Sequence, residues 1–330
     1  MKRLFWSILT VFAVLIAVAV GAGMYMLRYS LSPEEEREDT ARYFRQLTEQ
    51  HPEVVPWLDS LRACEGLRDT FVLMPSGERH HAYFIRRTPG QPVAIVLHGW
   101  RDSAIKFMYI GRIYHQQLGY NVLLPDLHAH GLSEGEVIGM GWKERHDVLH
   151  WMTVAAQLFQ SDEFVVHGVS MGAATAMNVS GLPMPKEVRT VRFVEDCGYT
   201  SVWDEFSYEL REEFHLPAFP LMYTTSLLCR LRNGWSFGEA SSLRQVEKCH
   251  WPMLFIHGDN DHFVPSWMVH PLYEAKPGRK SLWTPHGTQH AMAYGDYTEE
   301  YIRQVRAFMQ QQTCRPLHEK SAQKVKLPLK

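Results

Sequence analysis

The stretch Glu163-Phe164-Val165-Val166-His167-Gly168-Val169-Ser170-Met171-Gly172 decides the fold. Residues 163–166 form a short apolar run with strand character, and residues 171–180 have helical spacing. Between them a serine is flanked two positions away on each side by glycine. Small residues there permit a sharp, strained turn that lifts the serine oxygen above the end of a sheet. The backbone N–H of Met171 then lies at a helix N-terminus, where it can stabilise developing negative charge. The pentad alone is weak evidence, because with 22 glycines in 330 residues chance supplies GxSxG in roughly one of twelve chains of such composition. The strand before it and the helix after it carry the weight.

Outward from this turn, short apolar runs recur at residues 93–97, 121–124, 191–194, 253–256 and 280–283. Several are continuous, as in strands buried on both faces. Helical spacing fills residues 103–118, 144–159 and 298–311. Residues 70–74 and 81–87, separated by Pro75-Ser76-Gly77, read as a hairpin ahead of them. The alternation predicts an α/β fold: a mostly parallel sheet of about eight strands flanked by helices. One interval, residues 199–250, breaks the rhythm and is rich in aromatics, among them Trp203, Phe206, Phe214, Tyr223 and Phe237. It reads either as a helical cap over the site or as ordinary packing of crossover helices.

A serine hydroxyl needs a base beside it, and the base needs an orienting acid. On a sheet of this type the chain order is serine, acid, histidine. After the run 253–256 comes His257-Gly258-Asp259-Asn260-Asp261-His262-Phe263-Val264-Pro265, and after 280–283 comes Thr284-Pro285-His286-Gly287-Thr288-Gln289-His290. Asp261 and His290 are the expected partners of Ser170. Asp259 and Asp196 are alternative acids, and His286 an alternative base. The second donor to an oxyanion is expected from the loop after residues 93–97, which reads His98-Gly99-Trp100-Arg101. The N–H of Trp100 is assigned that role together with Met171, while His98 is expected to hold the loop by hydrogen bonding.

From Leu4 to Leu27 no charge occurs, and at about 1.5 Å per residue a helix of this length crosses a bilayer. Its length favours an uncleaved anchor over a signal peptide. The three-residue head with Lys2 and Arg3 favours a domain outside the cytoplasm, although Arg28, Arg37, Arg42 and Arg45 on the far side argue the reverse. The predicted organisation is an anchor over 1–30, a helical linker over 31–68, an α/β domain over 69–313 and a basic tail over 314–330. Ser32-Pro33-Glu34-Glu35 is read as the start of a linker helix reaching about Gln50.

Hydrophobic residues make up 45% of the chain and charged ones 21%, enough to bury one large core. A formal net charge of -2 gives no electrostatic field for nucleic acid. The cysteines at 64, 197, 229, 249 and 314 have no zinc-site spacing, and a bridge between Cys229 and Cys249 is left open. No cofactor or metal is expected. His128-Ala129-His130 is read as structural, since no further ligand clusters with it in sequence.

With these residues in place the chain resembles the α/β-hydrolase superfamily, nearest to membrane-anchored bacterial hydrolases of the BEM46-like and prolyl-oligopeptidase-like group. The resemblance runs from about Asp69 to Met309 on His98-Gly99-Trp100, residues 126–133, Gly139-Met140-Gly141-Trp142, residues 168–172, 196–201 and 258–265, and Gly287 to His290. It implies an eight-stranded sheet and the triad Ser170, Asp261 and His290. His128 stands where the family usually has arginine. The expected function is cleavage of a carboxylic ester or related acyl bond in a small molecule, with peptidase or amidase activity, or a non-catalytic binding protein, as alternatives.

Overall fold

The computed structural model describes residues 2–311; the tail expected over 314–330, with Cys314, lies outside the described residues. The apolar N-terminus is one continuous helix, α1 (Lys2–Leu31), long and apolar enough to cross a membrane. It stands exposed through Val18, and Gly23 is its first buried residue. The linker helix begins later than Ser32. α1 runs on to Leu31, whose carbonyl accepts the N–H of Ile138 at 2.8 Å, and the chain turns before helix resumes. Asp39, not Ser32, caps α2 (Thr40–Gln50) by accepting the N–H of Arg42 at 2.9 Å. A short α3 (Val55–Ala63) follows.

The hairpin is β1 (Leu67–Leu73) and β2 (Arg79–Ile85), paired antiparallel. Next come β3 (Val93–Leu97), β4 (Asn121–Pro125), β5 (Glu163–Val169), β6 (Thr190–Asp196), β7 (Met253–Ile256) and β8 (Lys280–Trp283). Between β3 and β4 the expected single helix is split into a 3-10 turn, α4 (Met108–Arg112) and a widened last turn ending at Gly119. The later connections are α5 (Glu144–Phe159), α6 (Met171–Ser180), α7 (Val202–Phe214), α8 (Leu221–Asn233), α9 (Ser242–Val246) and α10 (Val269–Ala275). Beyond β8 lie α11 (Ala293–Asp296) and α12 (Thr298–Gln310).

The sheet order is β1-β2-β4-β3-β5-β6-β7-β8, parallel from β4 onward. Every residue of β3 and β4 is buried, because helices cover both faces and leave no solvent side for polar residues. One apolar core packs on each face. β3 and β5 occupy the centre, and the strand order reverses beside them. In open parallel sheets, ligands bind beyond the carboxyl ends of strands at such a switch. Ser170 follows β5 directly. The interval 199–250 holds α7, α8 and α9 and stands over that edge. Cys197, Cys229 and Cys249 are buried and unbridged, so the Cys229–Cys249 pair does not form.

Candidate active site

The turn after β5 is as tight as its glycines permit. A Cβ on Gly168 would lie 1.9 Å from the carbonyl oxygen of Gly172, and one on Gly172 would lie 2.2 Å from that of Leu97. The start of α6 can therefore seat against β3 only without side chains there. Ser170 itself takes φ 58 and ψ -120, outside the regions side chains prefer, and its N–H is held by the carbonyl of Asp196 at 2.8 Å.

The strained turn presents Oγ of Ser170 to His290, whose Nε2 stands 2.9 Å away. Nδ1 of the same ring lies 2.7 Å from Oδ2 of Asp261. Oδ1 of Asp261 accepts the N–H groups of Phe263 at 2.9 Å and Val264 at 3.0 Å, so the loop backbone fixes the carboxylate. Burial would raise this carboxyl, but hydrogen bonds from His257 and His290 outweigh it and hold it down at about 2. It is thus an anion facing the imidazole N–H. Three residues from three loops are brought into one line of hydrogen bonds.

The alternatives go elsewhere. Asp259 pairs with the exposed His286 at 2.7 Å and accepts the N–H of Gly287, on the outside of the loop. Asp196 accepts the hydroxyl of Tyr301 at 2.8 Å, and burial pushes its carboxyl up to about 6 despite that bond. His98 is fully buried: its Nδ1 donates to the carbonyl of Gly99 at 2.8 Å, and its Nε2 accepts the N–H of Leu127 at 2.9 Å. It braces the loop that carries Trp100.

Beside Ser170 lies a cavity of about 260 Å³ lined by Trp100, Met140, Met171, Tyr199, Phe206 and Phe263, among others. Trp100 and Met171 thus both border Ser170. Two groups in this wall were not foreseen from sequence. Glu205, Glu209 and Glu213 present carboxyl groups from one side of α7. Their i, i+4, i+8 spacing was a legible signal. Burial raises Glu205 well above the ordinary value and lifts Glu209 to about 7, with the neighbouring Glu213 and Glu212 adding to the effect on Glu209. The other group is Tyr29 and Ser30, from the last turn of α1. Nε1 of Trp100 donates to the carbonyl of Ser30 at 2.9 Å, and the Arg101 guanidinium donates to those of Tyr29 and Ser32 at 2.7 and 3.1 Å. No sequence pattern announces that the apolar helix borders the site, because the docking is purely tertiary.

No family model matches the chain. It is 28% identical over 257 residues, 76% of this chain and 82% of the relative, to the uncharacterized protein YqkD of Bacillus subtilis. Among solved structures, the Pyrococcus furiosus esterase Pf2001 matches with a TM-score of 0.59 and 23% identity, over 74% of this chain and 91% of that one. The α/β hydrolase GrgF from Penicillium sp. sh18 matches at 0.57 and 14%, over 74% and 97%. The acylaminoacyl peptidase of Pyrococcus horikoshii matches at 0.54 and 12%, over 74% of this chain and 40% of that one. With its sheet order, its strained serine turn after the fifth strand and these likenesses, the chain has the α/β-hydrolase fold.

Proposed function

We propose that the chain is a membrane-anchored serine hydrolase, of the BEM46-like and prolyl-oligopeptidase-like group it resembles, that cleaves a carboxylic ester or related acyl bond. The observation that carries this reading is the unbroken line of hydrogen bonds from Ser170 through His290 to Asp261. His290 takes the Ser170 proton as Oγ attacks the acyl carbonyl, and Asp261 holds the ring tautomer and balances the imidazolium. The N–H groups of Trp100 and Met171 face the oxyanion of the tetrahedral intermediate. His290 returns its proton to the leaving alcohol, leaving an acyl-Ser170. Water, deprotonated by the same imidazole, then frees the acid.

A fluorophosphonate probe should label Ser170 in the wild type and nothing in Ser170→Ala, which should also lose ester turnover. Labelling at another serine would overturn the assignment. The same three groups serve amides, and turnover of matched aryl esters and aminoacyl amides separates the two bond types. In this reading α1 remains attached and the domain lies outside the cytoplasm. Proteolysis of the domain in intact cells, without permeabilisation, is the expected result.

A further inference from the structure

We propose that the cavity beside Ser170 takes its substrate from the bilayer: a neutral or amine-bearing amphiphile whose tail enters along α1. The proposal rests on the serine-hydrolase reading. From Leu4 to Gly23, α1 rises about 30 Å, the thickness of a hydrocarbon core. Over that length its large apolar side chains stand exposed, Leu4 at 66% and Val18 at 64%. Burial begins at Gly23, where an added Cβ would lie 2.8 Å from Cδ1 of Leu228 on α8. α8 therefore crosses α1 at the level where the hydrocarbon ends. Its outer face carries Leu227 at 57% and Leu231 at 74% exposure, with Phe219 at 72% just ahead of it. An apolar surface continuous with a membrane helix is most stable against the same membrane.

The route inward is present. A narrow extension of about 40 Å³, lined by Met26, Phe214, Leu221 and Met222, shares Tyr29, Ser30, Phe206, Glu209 and Glu213 with the Ser170 cavity. Tyr29 and Ser30 lie about 10 Å along the helix beyond Gly23. A lipid-like ester lifted partly from the leaflet thus brings its carbonyl to the serine while its tail stays apolar. The polar wall selects by charge: Glu205, Glu209 and Glu213 line the cavity, and Oε2 of the buried Glu205 has no hydrogen-bond partner. An anionic headgroup would meet the acidic Glu209 and Glu213, whereas an ammonium complements that pair and a hydroxyl, which both donates and accepts, can partner Oε2 of Glu205 in either protonation state.

The test uses full-length protein in phosphatidylcholine vesicles, with soluble p-nitrophenyl butyrate and a vesicle-embedded long-chain monoacylglycerol as substrates. Leu227→Glu/Leu231→Glu should keep butyrate turnover and lose at least tenfold on the embedded ester. An analogue with a phosphate headgroup should be turned over at least tenfold more slowly than the neutral one. Equal loss or equal retention on both substrates by the double variant would overturn the proposal. Absence of butyrate turnover and of fluorophosphonate labelling in the wild type would instead remove the hydrolase reading, and the proposal with it.

A different observation carries a second inference. The geometry points to a divalent transition-metal site, zinc by its donor set, made by Glu78, His80 and His128. The two histidines of His128-Ala129-His130 part company: Nε2 of His130 accepts the N–H of Arg101 at 3.0 Å, while His128 meets the β1–β2 turn. Oε2 of Glu78 lies 3.0 Å from Nδ1 of His128 and 3.6 Å from Nε2 of His80. Donors at zinc bond lengths in a tetrahedron stand about 3.3 Å apart. His80 is fully buried, and neither ring nitrogen has a hydrogen bond. A buried polar group left without a partner is destabilising, and a bound ion would satisfy it. Oδ2 of Asp147 stands 3.8 Å behind its Nδ1, where a ligand histidine usually has a carboxylate. The ion would tie the β1–β2 turn to the loop whose His130 holds Arg101. After EDTA treatment, the full-length protein should bind one equivalent of zinc in competition with a chromogenic chelator. Affinity should fall at least a hundredfold in His80→Ala and, as a milder change, in Glu78→Gln. Wild-type affinity no tighter than that of either variant would overturn the site.

Discussion

The indole N–H of Trp100 is hydrogen-bonded to the carbonyl of Ser30 across 2.9 Å, joining the loop beside Ser170 to the last turn of the apolar helix. With Trp100 as the proposed oxyanion donor, the proposed function makes the helix end a brace for the reaction centre as well as a tether. No described residue before Gly23 is buried, whereas Tyr29 and Ser30 line the cavity. Deleting residues 2–22 should leave turnover of a soluble ester within about twofold, and deleting 2–30 should abolish it. Trp100→Phe keeps the ring and loses the bond. At about 0.5–1.5 kcal/mol for one hydrogen bond, its kcat should fall roughly two- to tenfold. Steady-state kinetics in detergent, with melting curves to exclude unfolding, decide it.

The acid is assigned by a contrast between neighbours. Asp261→Asn should leave the fold intact and lower kcat by roughly four orders of magnitude, because the amide no longer fixes the imidazole tautomer. Asp259 faces the exposed His286 instead. Asp259→Asn should therefore stay within about twofold of wild type. Comparable losses in both variants would undo the assignment of Asp261.

Much of the candidate site was legible because it is written in local signals. The serine turn needs its glycines, Asp261 and His290 follow strands, and strands β3, β7 and β8 have the bounds that the apolar runs gave. The linker helix was misplaced because Ser32-Pro33-Glu34-Glu35 has the chemistry of a helix start, while the packing of Leu31 extends the preceding helix to that point. The histidine pair at 128 and 130 could not be resolved from spacing alone, since His80 and Glu78 reach His128 from β2 and the turn before it. Tyr29 and Ser30 belong to the cavity only through docking, which leaves no periodicity in the chain.

The close seating of α6 gives a stability test. Gly172→Ala would drive a methyl group to within 2.2 Å of the Leu97 carbonyl, a backbone atom that cannot rotate away. The variant should lose more than about 3 kcal/mol, in the range of severe core overpacking. Gly21→Ala has nothing within 4 Å and should melt as the wild type does. Thermal unfolding of the two variants in the same detergent is the comparison. A Gly172→Ala protein with an unchanged midpoint would mean that the turn is looser than its contacts imply.

Glu195 supplies a pH dependence of definite sign. Burial at the end of β6 pushes its carboxyl up to about 8, against the opposing pull of His257 and of a hydrogen bond from the N–H of Gly198. The unfolded chain ionises this group near its ordinary 4.5. Between those values the folded state holds one proton more than the unfolded state. Its contribution is fully present below pH 4.5 and is lost as pH rises towards 8, at about 1.4 kcal/mol per pH unit. Other acids raised by burial, such as the half-buried Asp147 at about 7, tilt the wild-type curve the same way, so the variant must be compared with wild type at each pH. Glu195→Gln keeps the shape and removes the titration. Its stability deficit, measured by urea unfolding at pH 5, 6, 7 and 8, should shrink steadily as pH rises; a constant deficit would mean that Glu195 is ionised in the folded protein throughout.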